Sequence, residues 1–252
     1  MEIRPNRVKR KLAKGESALI VSGFDSGDAI DAFGPNDFDG IWLEGEHGPV
    51  DAAQIGDLTR ACDIWGMPSV VRVNRNDQNL IYRTLDRGAL AIVVPHVDTK
   101  ADAENVVEGG KFAPLGRRGM FISRQGHGIP NYVQVANDET ALIVLIEDIV
   151  AINNLDEILT VDHIDVFFVA PGDLAATMGH VDNIWHPEVQ EVVDRAIGRI
   201  QEAGRVAGTF GTDDNVAKYA AAGVRFFLNN VGTWIEAGAA AYKARAEAAR
   251  QA

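Results

Sequence analysis

The chain has 252 residues, a formal net charge of −12 and a single cysteine, Cys62. A strongly acidic surface repels phosphate backbones and anionic membranes, which argues against nucleic acid and membrane as partners. A lone thiol makes no internal disulfide, and this fits a reducing, cytoplasmic setting.

In chain order, the opening MEIRPNRVKRKLAKGES is basic but has no apolar run behind its charges, so it does not read as a signal peptide. Short apolar runs then alternate with helical patterns. The runs are Ala18–Ser22, Gly40–Glu44, Ser69–Val73, Ala89–Val94, Ala141–Glu147, Ile164–Val169, Val206–Thr209 and Arg225–Asn229. Helical patterns include Ala52–Trp65, Gln78–Arg87, Pro187–Ala203, Asp214–Ala222 and Trp234–Ala249. Runs that are apolar throughout, such as AIVV and ALIVLI, suit strands buried on both faces. A strand–helix rhythm implies parallel strands with right-handed crossovers. Eight such units in about 250 residues predict an α/β fold, a (β/α)8 TIM barrel forming one domain over residues 1–252. No repeat, linker or spanning apolar stretch interrupts it. The connection Gly109–Thr140 is longer than ordinary loops and reads as a surface excursion, a lid or a subunit contact.

In such a barrel, function collects at the C-terminal ends of the strands. The second run ends in Glu44-Gly45-Glu46-His47, the third carries Arg72, and the fifth ends in Glu147-Asp148. The sixth is followed by Ala170-Pro171-Gly172-Asp173 and the eighth ends in Asn229. Glu147 and Asp173 come from adjacent strands. Two carboxylates without thiolates suit a hard divalent ion, Mg²⁺ or Mn²⁺, with Co²⁺ also tolerated. His47 is a candidate general base. Arg72 is either a structural ion pair or a bidentate fork for a substrate carboxylate. Gly172 leaves backbone N–H groups open beside Asp173. None of Lys9, Lys11, Lys14, Lys100, Lys111, Lys218 and Lys243 ends a run, so Schiff-base chemistry is not expected. No Gly-x-Gly-x-x-Gly follows a strand, so a dinucleotide fold is not expected either.

FDGIWLEGEHGP, VVRVN, LDRGALAIVVPHV, PLGRRG, ALIVLIED and APGDLAATMG, in that order from about Phe38 to Asn229, resemble the HpcH/HpaI aldolase family of class II pyruvate aldolases, which includes 4-hydroxy-2-oxoheptanedioate aldolase. The resemblance implies a metal-dependent lyase that reversibly cleaves 4-hydroxy-2-oxo acids to pyruvate, or a related 2-oxo acid such as hydroxypyruvate, and an aldehyde. By it, Glu147 and Asp173 hold the metal and His47 is the base. Arg72 holds the 2-oxo acid with Gly172 and Asp173, and Asp86 is the acid paired with the histidine. It also implies a final helix swapped between subunits and a hexamer built as a trimer of dimers. Three positions depart from the family pattern: Glu44 stands where Asp is usual, Leu145 where Gln is usual, and Ala170 where Gly is usual. Asp86 precedes the fourth run and so belongs near the barrel's bottom. It meets a His47 only across a subunit boundary, or if the strand starts later. Rival readings keep the fold: an oxaloacetate decarboxylase, a CoA-ester lyase, for which no clear basic CoA patch is seen, or an inactive barrel serving as a binding protein.

Overall fold

The structure, a computed structural model, describes residues 2–251. Eight strands form a closed barrel in chain order: β1 (Ala18–Ser22), β2 (Gly40–Glu44), β3 (Ser69–Arg72), β4 (Ala91–Val94), β5 (Ala141–Ile146), β6 (Val166–Val169), β7 (Ala207–Phe210) and β8 (Phe226–Asn230). All neighbours are parallel, and β1 pairs with β2 on one side and with β8 on the other, which removes both sheet edges. The expected fold is the observed one. Some strands are shorter than the apolar runs: β4 starts at Ala91, because Gly88 and its neighbours form the turn that leads into it.

Side-chain parity explains the two layers of the core. Strand residues alternate between the barrel interior and the surrounding helices. Ile20, Trp42, Val70, Ile143, Leu145, Val166, Phe168, Phe226 and Leu228 fill the interior. Their odd-step neighbours, among them Val21, Leu43, Val71, Val144, Ile146, Phe167 and Phe227, pack outward against the helices. The same alternation carries Glu44, Arg72 and Glu147 to the inner face, above Trp42, Val70 and Leu145.

Helix Arg7–Ala13 is a feature that the strand–helix rhythm does not reveal. Val8 and Leu12 form its apolar side, one turn apart, and pack with the interior residues Ala18 and Ile20, closing the bottom of the barrel. Its charges face outward, where Lys9 meets Asp165 and Lys11 meets Asp39.

The long connection contains the end of helix Lys100–Gly110, a short turn at Arg124–Gly126 and helix Tyr132–Glu139. It joins a helix end to the start of β5, so it runs under the barrel and is not a lid over its own mouth. There Arg118 donates to Asp86 at 2.8 Å and the Gln125 amide donates to the Gly88 carbonyl at 2.9 Å. Met120, Phe121 and Ile122 are exposed at this face. The last helix, Val231–Gln251, packs through Val231 and Trp234 and exposes every residue from Ile235 to Ala249. Among the described residues no helix is long and apolar enough to cross a membrane.

Candidate active site

Glu44 organises the mouth at the end of β2. Its carboxylate accepts from Arg72 Nε at 2.8 and 2.9 Å and from Trp42 Nε1 at 3.0 Å. It also accepts from the backbone N–H groups of Glu46 and His47, at 2.8 and 3.1 Å, and so shapes the loop that carries the histidine. Burial pushes the Glu44 carboxyl up, but the hydrogen bonds from Arg72 and Trp42 outweigh it and hold the group below its ordinary value.

Arg72 is paired through all three of its nitrogens. Nη2 lies 2.8 Å from Glu44 Oε2, and Nη1 lies 2.8 Å from Glu46 Oε2. Of the two readings open for this arginine, the ion pair is the state seen here. A substrate carboxylate reaches the fork only by displacing or sharing one of the two glutamates.

Glu147 lies one residue beyond β5, on the inner face, and is 1% exposed. Its one direct donor is the backbone N–H of His96, at 2.8 Å. Burial raises its carboxyl above the ordinary value despite that bond, and the charges of Asp173 and Glu46 push the same way. Asp173 occupies the first turn of helix Pro171–Thr177, where the helix dipole favours an anion, and it is exposed. Three acids therefore crowd one place, and Arg72 is already shared by Glu44 and Glu46. A buried carboxylate pressed by like charges fits a bound divalent cation, and the all-oxygen acids fit a hard one.

His47 extends into solvent, its side chain 69% exposed and its Nε2 3.8 Å from Glu46 Oε2. His96 is a site residue that the sequence reading missed. Its ring lies between Glu46 and Glu147, with Nε2 3.6 Å from one and Nδ1 3.5 Å from the other. Its backbone is held at φ 53°, an uncommon state for a non-glycine residue. The signal was available: Val94-Pro95-His96 directly follows a strand, as Glu147 does.

The sequence profile of the HpcH/HpaI aldolase/citrate lyase family matches residues 19–239. The chain belongs to the HpcH/HpaI aldolase/citrate lyase family. It is 34% identical over 237 residues to 2-keto-3-deoxy-L-rhamnonate aldolase of Klebsiella pneumoniae, covering 91% of this chain and 88% of that protein. It is also 34% identical over 240 residues to hydroxypyruvate/pyruvate aldolase of Pseudomonas aeruginosa, covering 92% and 89%. A crystal structure of a family protein from Burkholderia cenocepacia superposes with a TM-score of 0.88 at 29% identity, covering 94% of this chain and 98% of the other. This HpcH/HpaI family member is an aldolase, a carbon–carbon lyase.

Not every expected site residue of the aldolase joins the mouth. Asp86 ends helix Gln78–Asp86 at the bottom of the barrel and is held there by Arg118. Within one chain it does not meet His47. Gly172 is exposed, and a Cβ there would meet nothing within 4 Å, so no steric demand for glycine exists at that point. Lys111 is buried and lowered to about 7, first by desolvation, which is the property a Schiff-base lysine needs. It donates to the carbonyls of Asn137 and Thr140 under the barrel, far from the mouth chemistry. His180, His186 and Glu188 bring ligand atoms within 4.8 Å of one another. The two imidazoles are stacked, centroids 3.6 Å apart and planes 16° apart, so their in-plane lone pairs run side by side instead of converging on an ion.

Proposed function

We propose that this aldolase cleaves 4-hydroxy-2-oxo acids to pyruvate, or a close 2-oxo acid, and an aldehyde, with Glu147 and Asp173 holding a divalent ion. The observation that supports this most is the buried Glu147 carboxyl, crowded by Asp173 and Glu46 at the mouth of a barrel whose curated relatives are named for such reactions. The ion, when bound, supplies Lewis acidity at the keto oxygen. His47 takes the proton from the C4 hydroxyl. The C3–C4 bond breaks, its electron pair passes into the 2-oxo acid unit as an enolate, the C4 oxygen leaves as the aldehyde carbonyl, and a proton taken up at C3 completes the 2-oxo acid product. Arg72 keeps positive charge beside that developing oxyanion. Glu44 fixes Arg72 and the loop bearing His47, and Gly172 leaves open space beside Asp173. The test is pyruvate release from a 4-hydroxy-2-oxo acid, coupled to lactate dehydrogenase. Activity is expected to vanish in EDTA and to return with Mg²⁺, Mn²⁺ or Co²⁺; full activity in EDTA rejects the metal-dependent reading.

Arg72→Lys keeps a charge but loses the planar fork that two glutamates and a substrate must share. Turnover is expected to fall by about 10²-fold or more, as for loss of an oxyanion donor, with the fold intact by circular dichroism. Wild-type kinetics in this variant would reduce Arg72 to an ordinary ion pair.

The protein is proposed to work in the cytoplasm as a homo-oligomer, a hexamer built from dimers with the last helix exchanged. The exposed length Ile235–Ala249 of the last helix and the exposed triplet Met120–Ile122 support an assembly in which these faces are covered. Asp86, beside that triplet's connection, would then act on a neighbouring subunit's histidine. Light scattering is expected to give a multiple of the 27.2 kDa chain. An active monomer at micromolar concentration excludes both the exchange and a role for Asp86 in trans.

A further inference from the structure

The mouth holds a cavity of about 450 Å³ whose floor is built by Trp42, Leu145, Phe168, Phe210 and Leu228. These side chains come from β2, β5, β6, β7 and β8, each on the inner face. Phe168 is packed from two sides: Phe210 meets it edge-on at 5.3 Å and Trp42 tilts against it at 5.9 Å. Phe210 is left 41% exposed at the wall, an aromatic surface the fold itself does not cover.

Among the described residues Arg72 is the one cation lining the cavity, and it is held by Glu44 and Glu46. Glu44 and Asp25 are the other charged groups on the lining, both acids. At the far rim the Asn230 amide donates to Ser22 Oγ at 3.1 Å, Ser22 donates to the Asn229 carbonyl, and Asn230 Oδ1 accepts from Gly232 N–H. On the lining from this chain a distal carboxylate would meet two acids and a cation already paired with two glutamates. A polyhydroxylated chain would bury hydroxyls on an apolar floor, where an unmatched one is costly.

The cavity also lies on one side of the candidate metal ligands. Leu145 sits two residues before Glu147 on the same strand face, and neither Glu147 nor Asp173 lines the cavity, which extends away from them toward β8 and β1. A 2-oxo acid held at Glu147 and Asp173 therefore directs its remaining carbons over this floor. We propose that the fragment released as aldehyde is neutral and apolar, an alkyl or aryl group on C4, and is neither anionic nor polyhydroxylated. This rests on the aldolase reading above. It names a substrate class different from the deoxy-sugar acid of the rhamnonate aldolase relative.

The test uses three 4-hydroxy-2-oxo acids that differ at C4, carrying a phenyl group, a distal carboxylate chain or a glyceraldehyde-derived polyol. Pyruvate release is followed with Mg²⁺, Mn²⁺ and Co²⁺ in turn. The phenyl compound is expected to exceed both others in kcat/KM by about tenfold or more, the range that apolar pocket contacts provide. Phe210→Asn, a change at a half-open ring, is expected to narrow that preference at least severalfold, mainly through KM. Leu145→Gln does the same from the floor and serves if the first variant does not fold. Equal or better turnover of the dianion or the polyol overturns the proposal while the aldolase reading stands, as does an unchanged preference in a folded variant. No pyruvate from any of the three overturns both.

Discussion

Glu147→Gln is expected to abolish tight divalent-metal binding and to cut aldol cleavage by about 10³-fold or more, since Lewis-acid stabilisation amounts to several kcal/mol. The substitution is nearly isosteric, and its side-chain carbonyl still accepts the His96 N–H that Glu147 accepts at 2.8 Å. Only the charge is lost. In the metal-free protein that charge is a burden, because burial, Asp173 and Glu46 all raise the carboxyl. A group whose folded pKa is raised contributes its stability below the unfolded value and loses it as pH rises through the folded one. The metal-free variant should therefore match wild type below the ordinary carboxyl value of 4.5 and become the more heat-stable of the two as pH rises above it. With Mn²⁺ present the order should reverse, because only wild type gains from binding. Calorimetric titration and thermal unfolding with and without EDTA read both effects. Unchanged Mn²⁺ affinity in Glu147→Gln, and likewise in Asp173→Ala, would move the metal site elsewhere.

The sequence revealed what depends on period and position. ALIVLI is apolar at every step because β5 is covered inside and out, and the step of two that makes Ile143 and Leu145 interior also makes Glu147 interior. Glu44 and Arg72 follow from the same rule. What was not legible depends on partners distant in sequence. Nothing near Arg72 announces that Glu44 and Glu46 together pair with its guanidinium, since that needs the register Glu44↔Arg72 between β2 and β3. Spacing between histidines does not point to His96, because its relevant neighbours, Glu46 and Glu147, follow other strands. The plug helix Arg7–Ala13 hid behind its charges: two apolar residues suffice when the surface they cover is the narrow end of a barrel. Asp86 marks the limit of reasoning within one chain, since its partner there is Arg118.

His47→Ala separates proton transfer from metal binding. The imidazole is 69% exposed, and among the described residues its ring makes one ionic contact, to Glu46 at 3.8 Å. The loop conformation is set by the His47 backbone N–H on Glu44, which the variant keeps. Metal and pyruvate affinity are therefore expected to stay within a fewfold of wild type. Aldol cleavage is expected to drop by roughly 10²–10⁴-fold, the usual worth of a positioned acid–base group. Decarboxylation of oxaloacetate gives the same type of enolate, but no hydroxyl proton has to leave, so that reaction should lose much less. Both rates are to be measured on one preparation, with metal content checked before each assay. A much larger loss in cleavage than in decarboxylation assigns His47 to the C4 hydroxyl. Equal losses would mean that the imidazole orders the mouth as a whole, and the base would then be sought at His96, the other imidazole beside Glu46.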